Sequence, residues 1–396
     1  MAIEYVDNRA KGLRPRRAAE SVAVGTFVRR LDWVLLGAVA AIIGYGLWVI
    51  DGVTRHDPGG SAMTRQATYA AAGAIAFVVA VAIDPDLYRR YYRVIYGGTL
   101  AVMLIVLVSA AATRGSRRWI DLGAFRFQPS EFGKVLFTLF LAAFLADRIK
   151  RVGDPRVILQ TVGLAVIPLL LVFVQPDIGT ALVYGAALAA VLFAAGTRWL
   201  HLSILGGLTL FAILAVLWLP KAGIQVLRPY QAERLYGFTN PGKDPRGTTY
   251  NVNQSITAVG AGGVNGRGVI GATQTNLDYL PEHATDFVFA SLAEQRGFVG
   301  VSILLLLYLL VVWRGLKVMT IARDAFSAIV AGGIVFAFLF QIFVNVGMTI
   351  GIAPITGIPL PFVSVGGSSM VSNLLAMGVL QAIHARSVPE RRRSRR

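Results

Sequence analysis

The hydrophobic positions of this chain fall in long blocks separated by polar stretches. Blocks of about 18 or more apolar residues are each long enough to cross a hydrocarbon core of roughly 30 Å as a helix. By that length they predict about ten spans. We place them at Trp33–Ile50, Ala67–Ile83, Val94–Ala112, Pro129–Ala146, Val157–Val174, Asp177–Ala195, Leu200–Leu219, Phe287–Trp313, Ala325–Ile350 and Gly367–Ala385. The predicted fold is an all-α polytopic membrane protein. Only one connection is long, Lys221 to Thr285, against a usual loop of about 4–6 residues. It is expected outside the cytoplasm, with Arg228, Tyr230, Arg234, Tyr236, Phe238 and Tyr250 in amphipathic pieces at the interface. Its Gly-rich part, ITAVGAGGVNGRGVIGATQ, lacks both the Gly-Lys-Ser/Thr ending of a Walker loop and the strand that precedes a dinucleotide fingerprint. It predicts close-packed turns with backbone amides available to an anion. The last outer connection, GIAPITGIPLPFVSVGGSSM, is apolar but broken by prolines. It predicts a re-entrant segment, because irregular backbone at membrane depth must be buried or line a polar cavity.

Composition agrees with this class: of 396 residues 55% are hydrophobic and only 15% charged. The absence of cysteine excludes a disulfide framework or a thiolate site. The N-terminal stretch is polar and basic ahead of the first span, unlike a cleavable signal. A net charge of +17 raises the question of nucleic acid, but no groove-reading module accompanies the cations. Their positions argue topology instead. Arg9 to Arg30, Arg89 to Arg93, Arg148 to Arg156 and Arg391 to Arg396 all fall on one side if both termini are cytoplasmic. There they serve as anchors on anionic membrane lipids. The expected organisation is a basic tail at 1–30, a membrane domain at 31–386 with its long loop at 221–285, and a basic tail at 387–396.

Against that background a few ionisable residues stand out. An Asp inside the bilayer costs roughly 2.5–3.5 kcal/mol on insertion scales, so such a residue is a functional-site candidate. Asp286 sits where the long loop runs into the eighth span, with Glu282 and His283 before it and Glu294 and Arg296 after it. Helix capping is the simpler alternative for an acid in that place. Glu131 and Lys134 stand at i,i+3 in the fourth span, a pair that neutralises itself and fixes packing or shapes a polar cavity. Asp177, in VQPDIGT, suits a helix start. Arg114, Arg117, Arg118 and Arg126 go against the positive-inside trend. Their forks suit a pyrophosphate-bearing ligand, with anionic headgroups as the alternative. Ser368 and Ser369 open the last helix, whose free amides would suit a phosphate. With four histidines in all and only His283 near the candidate acid, a zinc site is a poor fit.

The strings RWIDLGAFRFQPSEFGK, VQPDIGT, NVNQSITAVGAGGVNGRG, LPEHATDFVFASLAEQRG and GIPLPFVSVGGSSM together resemble the SEDS family of bacterial cell-wall polymerases (shape, elongation, division and sporulation). The likeness spans nearly all of the membrane region. FRFQPSE and TYNVNQS look more like the elongation branch, RodA, than the division branch, FtsW. At Ala293-Glu294-Gln295 the chain departs from the two consecutive acids usual in the family, so the second acid has no counterpart here. The resemblance implies a peptidoglycan glycosyltransferase that links lipid II into nascent glycan outside the membrane, working with a class B penicillin-binding protein. It places the family's essential acid on Asp286 and its polar membrane pair on Glu131 and Lys134.

On that reading Asp286 deprotonates the acceptor hydroxyl as general base. An α-linked donor and a β-linked product imply inversion in a single displacement. Arg114, Arg117, Arg118 or a divalent cation, Mg2+ or Mn2+, would take the charge of the departing pyrophosphate, and no organic cofactor is expected. A flippase for lipid II would need a polar cavity too, but transport predicts repeats and a midplane site. No repeat is evident, and the polar residues gather at the outer face. A passive scaffold for the transpeptidase gives no use for an acid at a cavity mouth.

Overall fold

The computed structural model describes residues 27–55, 62–109, 119–121, 126–218, 238 and 249–388. Its long helices are α1 (Trp33–Val53), α2 (Ala62–Ala82), α4 (Tyr92–Ser109), α5 (Pro129–Ala146), α6 (Pro155–Val174), α7 (Ile178–Ala194), α8 (Trp199–Trp218), α12 (Val288–Ile321), α13 (Ala325–Thr349) and α14 (Gly367–Ser387). Between them lie the short α3 (Pro85–Arg90), α9 (Tyr250–Gly262), α10 (Gly268–Gly271) and α11 (Thr273–Asn276). A two-residue hairpin, β1 (Ile120–Asp121) with β2 (Arg126–Phe127), pairs antiparallel ahead of α5. Local chemistry fixes where several helices start. Asp32, Asp84, Asp154 and Asp324 each accept a backbone amide as the N-cap of α1, α3, α6 and α13, and proline stands in the first turn of α3 and α6. All four caps lie at one end of the bundle. The other end, where the long loop meets α12, is called the loop end below.

A helix coincides with each of the ten expected spans, but apolarity alone does not define them all. Six are long and apolar enough to cross a membrane unaided, and Tyr92–Val108, Ile178–Ala194 and Trp199–Ala215 are shorter apolar stretches. The tenth, α14, carries Ser368, Ser372, Asn373, Gln381 and His384, all buried. It tolerates them because it packs against α2, α5, α12 and α13. Almost every residue of α5 is buried as well, so α5 and α14 form the centre. At the edge, α8 packs on α7 while Trp199, Leu200, Phe211 and Trp218 are exposed, as suits a lipid-facing helix.

Two expectations need correction. The eighth span does not end at Trp313: α12 continues to Ile321 and is broken at Gly297, with φ 63° and ψ −163°. The Gly-rich stretch is not a run of turns, since its first part lies in helix α9. Its glycines serve close approach. A Cβ on Gly262 would collide with the Ala293 carbonyl, and one on Gly266 with the Gln295 carbonyl. The α9–α10 connection thereby reaches the break in α12 and satisfies it. Phe298 N donates to Gly263 O at 2.9 Å, Val299 N to Val264 O at 3.1 Å, and Arg267 N to Glu294 O at 2.8 Å. Residues 288–296 are thus a half-helix, separated from the long membrane segment that follows.

Residues 350–366 have no regular structure, and most of 355–364 is buried. A Cβ on Gly46 would meet Phe362 O and Val363 Cα; Gly46 lies seven residues before the end of α1, roughly 10 Å along the helix. Tyr308, well inside α12, donates to Pro361 O. The segment therefore dips between helices, as expected of a re-entrant loop. The expected tails, apart from 27–30 and 387–388, and the loop residues Arg228, Tyr230, Arg234 and Tyr236 lie outside the described residues.

Candidate active site at the loop end

Asp286 is half-buried in the turn between Leu280 and α12. The N-cap position of that helix is Phe287, which makes no side-chain cap bond. What the structure secures is the backbone. Val365 N donates to Ala284 O at 3.0 Å, Ser364 Oγ to Thr285 O at 2.6 Å, and Asn345 Nδ2 to Asp286 O at 3.1 Å. Ser291 Oγ adds a bond to His283 O at 3.3 Å. Four successive carbonyls are held from three directions, by the re-entrant segment, by α13 and by the half-helix of α12. The holders are held in turn. Asn345 also donates to Ile358 O at 2.8 Å, and Ser364 Oγ accepts from Leu360 N at 2.8 Å. Gln66, fully buried in α2, donates to Ser364 O and accepts from Gly366 N.

Sequence reading missed Asn345, Ser364 and Gln66. The available signal was an amide inside a long apolar span, where an unsatisfied polar group is expensive. Glu282 is exposed, has φ 55° and accepts from Thr285 Oγ1 at 2.9 Å, so it shapes the turn. His283 Nδ1 lies 3.2 Å from Leu280 O. Glu294 is fully buried. Its carboxylate accepts from Gln274 N at 2.8 Å, Thr275 N at 3.0 Å and Thr275 Oγ1 at 2.7 Å. It ties the start of α11 to the half-helix and so fixes the segment leading to Asp286.

Below this turn, Glu131 and Lys134 form an ion pair of 2.8 Å with side chains 5% and 8% exposed. Lys134 Nζ also donates to Gln341 Oε1 at 3.0 Å, beside a small cavity that Thr138, Ser372 and Asn373 help to line. Asp177 accepts from Thr180 N at 3.0 Å as the cap of α7 and from Gln128 Nε2 at 2.8 Å, which agrees with its reading as a helix start.

Ser368 links two elements. Its hydroxyl accepts from Gln128 N at 2.9 Å and donates to Arg126 O at 2.8 Å, joining α14 to the hairpin. Ser369 is buried and its Oγ accepts from Asn373 Nδ2 at 3.2 Å. Both serines are buried at the start of α14, whereas Gly366 and Gly367 beside them are only partly buried. Arg114, Arg117 and Arg118 lie outside the described residues. Arg126 is exposed, 3.7 Å from Asp121. Among the described residues no three His, Asp or Glu side chains gather to hold a metal.

Comparison with known proteins covers the whole described bundle. A family model for FtsW, RodA and SpoVE, described as "Cell cycle protein", matches residues 28–388. Peptidoglycan glycosyltransferase MrdB of Escherichia coli K12 is 36% identical over 360 residues, 89% of this chain and 93% of the relative. Stage V sporulation protein E of Bacillus subtilis is 35% identical over 319 residues, 80% of this chain and 85% of its own. Among solved structures, a chain of a peptidoglycan synthase complex that coordinates polymerization and crosslinking superposes with TM-score 0.76 at 29% identity, covering 89% of this chain and 97% of that one. The rod shape determining protein RodA of Thermus thermophilus follows with TM-score 0.67 at 27% identity, covering 91% and 98%.

Proposed function

The chain belongs to the FtsW/RodA/SpoVE family of multi-pass membrane proteins and is a peptidoglycan glycosyltransferase, and we propose that it polymerises lipid II at the outer face of the cytoplasmic membrane with Asp286 as the general base. The observation that carries this assignment is the turn itself: carbonyls 283–286 are each held by a hydrogen bond, which fixes the backbone that carries Asp286. A base must be held within hydrogen-bond reach of the proton it takes, and a rigid backbone achieves that.

In the proposed step the acceptor's 4-hydroxyl gives its proton to Asp286 as its oxygen attacks the anomeric carbon of the donor sugar. The bond to the pyrophosphate breaks on the opposite face, and the configuration inverts. One carboxylate suffices, because no enzyme nucleophile is needed and the pyrophosphate departs as an anion without taking up a proton. The departing pyrophosphate needs positive charge. Arg126 is the described candidate, and Arg114, Arg117 and Arg118 are the others in the same loop. Mg2+ or Mn2+ bound to the pyrophosphate would supply further charge neutralisation.

Orientation follows from the cations. Arg89, Arg90, Arg93, Arg148, Lys150, Arg151 and Arg156 all lie at the end opposite the loop end, which the positive-inside rule assigns to the cytoplasm together with both termini. The structural likeness to a synthase complex supports a class B penicillin-binding protein as partner, and the likeness to RodA and MrdB supports a role in elongation and cell shape. The test is reconstitution of purified chain with labelled lipid II, with and without a candidate transpeptidase. Glycan ladders on a gel are expected. Lipid II translocation with no glycan under any condition would favour the flippase reading and end this one.

A further inference from the structure

Two arginines of α12 lie along its seam with α1, and they meet different surroundings. Arg314, at the cytoplasmic end, donates through Nε at 2.8 Å and approaches through Nη2 at 2.6 Å to Asp32, the cap of α1. Arg296, at the loop end, lies flat on Trp48 with Cζ 3.9 Å from the ring centroid, and forms no ion pair among the described residues. Glu294 is close in sequence but is buried and already accepts from Gln274 and Thr275.

The surroundings of Arg296 are lipid-facing. Trp48 is 48% exposed, Phe298 69% and Val299 48%. Trp48 lies five residues before Val53, the last residue of α1, which puts it roughly 8 Å inside the helix end. Tyr45, packed against Trp48 with ring centroids 5.6 Å apart, donates to Gly300 O at 3.0 Å and closes the lower side of the notch. Tyrosine and tryptophan at this depth mark the level of the headgroups. A guanidinium there needs an anion. With one face covered by indole, its N–H edges remain for a planar, two-pronged acceptor, and phosphate is the anion that level of a bilayer supplies.

We propose that Arg296 and Trp48 form a binding site for a lipid-borne phosphate on the α1–α12 seam. Two lipids carry this chemistry, an anionic phospholipid and the polyprenyl phosphate carrier. The site stands whether or not Asp286 is the base.

The experiment is native mass spectrometry of the purified full chain, challenged separately with dioleoyl-phosphatidylglycerol, undecaprenyl phosphate and dioleoylglycerol, which lacks phosphate. Wild type should retain at least one of the two phosphate lipids and not dioleoylglycerol, and which of them it retains identifies the source. Arg296→Gln should lower retention by about tenfold, in line with loss of a charge-assisted pair. Trp48→Leu, which leaves the charge but removes its platform, should lower it by about threefold and serves if the arginine variant does not fold. Equal retention by wild type and either folded variant would overturn the proposal. So would retention of dioleoylglycerol to the same extent, or of neither phosphate lipid by wild type, an outcome that would point to an acidic partner helix as the neutralising group.

Discussion

Asp32 and Asp286 both stand at the entrance to a helix, at opposite ends of the same bundle, and the protein uses them in opposite ways. Asp32 is buried. Its Oδ1 accepts from Val34 N at 3.1 Å and Leu35 N at 3.0 Å, its Oδ2 faces Arg314, and its backbone exchanges two hydrogen bonds with the Gln381 side chain. Here the carboxylate ties α1 to α12, and the backbone of the same residue adds α14. At Asp286 the ties run to the main chain, through Asn345 and its neighbours, and α12 starts without a side-chain cap. The Asp32 carboxylate serves a cap and an ion pair, whereas at Asp286 bonds from four neighbouring groups fix the backbone that carries the side chain.

That contrast orders the expected losses of folded protein. The largest belongs to Asp32→Ala, which strands a mostly buried Arg314 and uncaps α1. Breaking such a pair costs about 3–5 kcal/mol, so the variant should barely accumulate, with its remaining activity in proportion to its amount. Normal thermal unfolding of Asp32→Ala in detergent would remove the contrast. Glu131→Ala and Lys134→Ala come next. Each strands a buried charge, but Lys134 retains Gln341 and Glu131 lies 3.5 Å from Ser372, so the loss should be on the order of 3 kcal/mol. The exchange Glu131→Lys with Lys134→Glu should recover part of it. If both single variants are fully stable yet inactive, the pair belongs to the chemistry and not to the packing. Asn345→Ala sharpens the comparison further. It leaves Asp286 O and Ile358 O without their donor, a loss of about 1–3 kcal/mol for each group. Because misplacement by about 1 Å can cost 10²-fold, kcat should fall by about 10–100-fold at unchanged KM. A fall in protein level with unchanged kcat would make Asn345 a packing residue only.

The end-to-end frame of the molecule was legible in the sequence because it follows from apolar run length and cation position. Asp32, Asp154 and Asp324 each precede an apolar run, the ordinary signature of a helix start, and Asp84 precedes a proline that opens a short polar helix. The acid at the candidate site was legible as well, since Asp286 interrupts the approach to a span. What holds that acid was not. Asn345 and Ser364 act on backbone carbonyls 59 and 79 residues away, and no local spacing encodes such a bond. The Gly-rich stretch misled for a related reason. Glycine signals either a turn or a close approach, and only the proximity of α12 at Ala293 and Gln295 decides for the second. The bonds of the Ser368 hydroxyl were not legible either, since its partners Gln128 and Arg126 lie 240 and 242 residues away.

The smallest structural change and the largest functional one should coincide in Asp286→Asn. The amide keeps the shape of the side chain and leaves the bonds to carbonyls 283–286 in place, so unfolding temperature and lipid II binding should match wild type. It cannot take a proton from the acceptor, and loss of a general base costs about 10²–10⁴ in rate. The measurement is glycan chain formation on gels from reconstituted protein, partner and divalent cation, at matched protein levels. The account predicts no polymer from Asp286→Asn above that slowed rate. Wild-type polymerisation by the Asn form would contradict it and return Asp286 to the structural role that Asp32 plays at the other end.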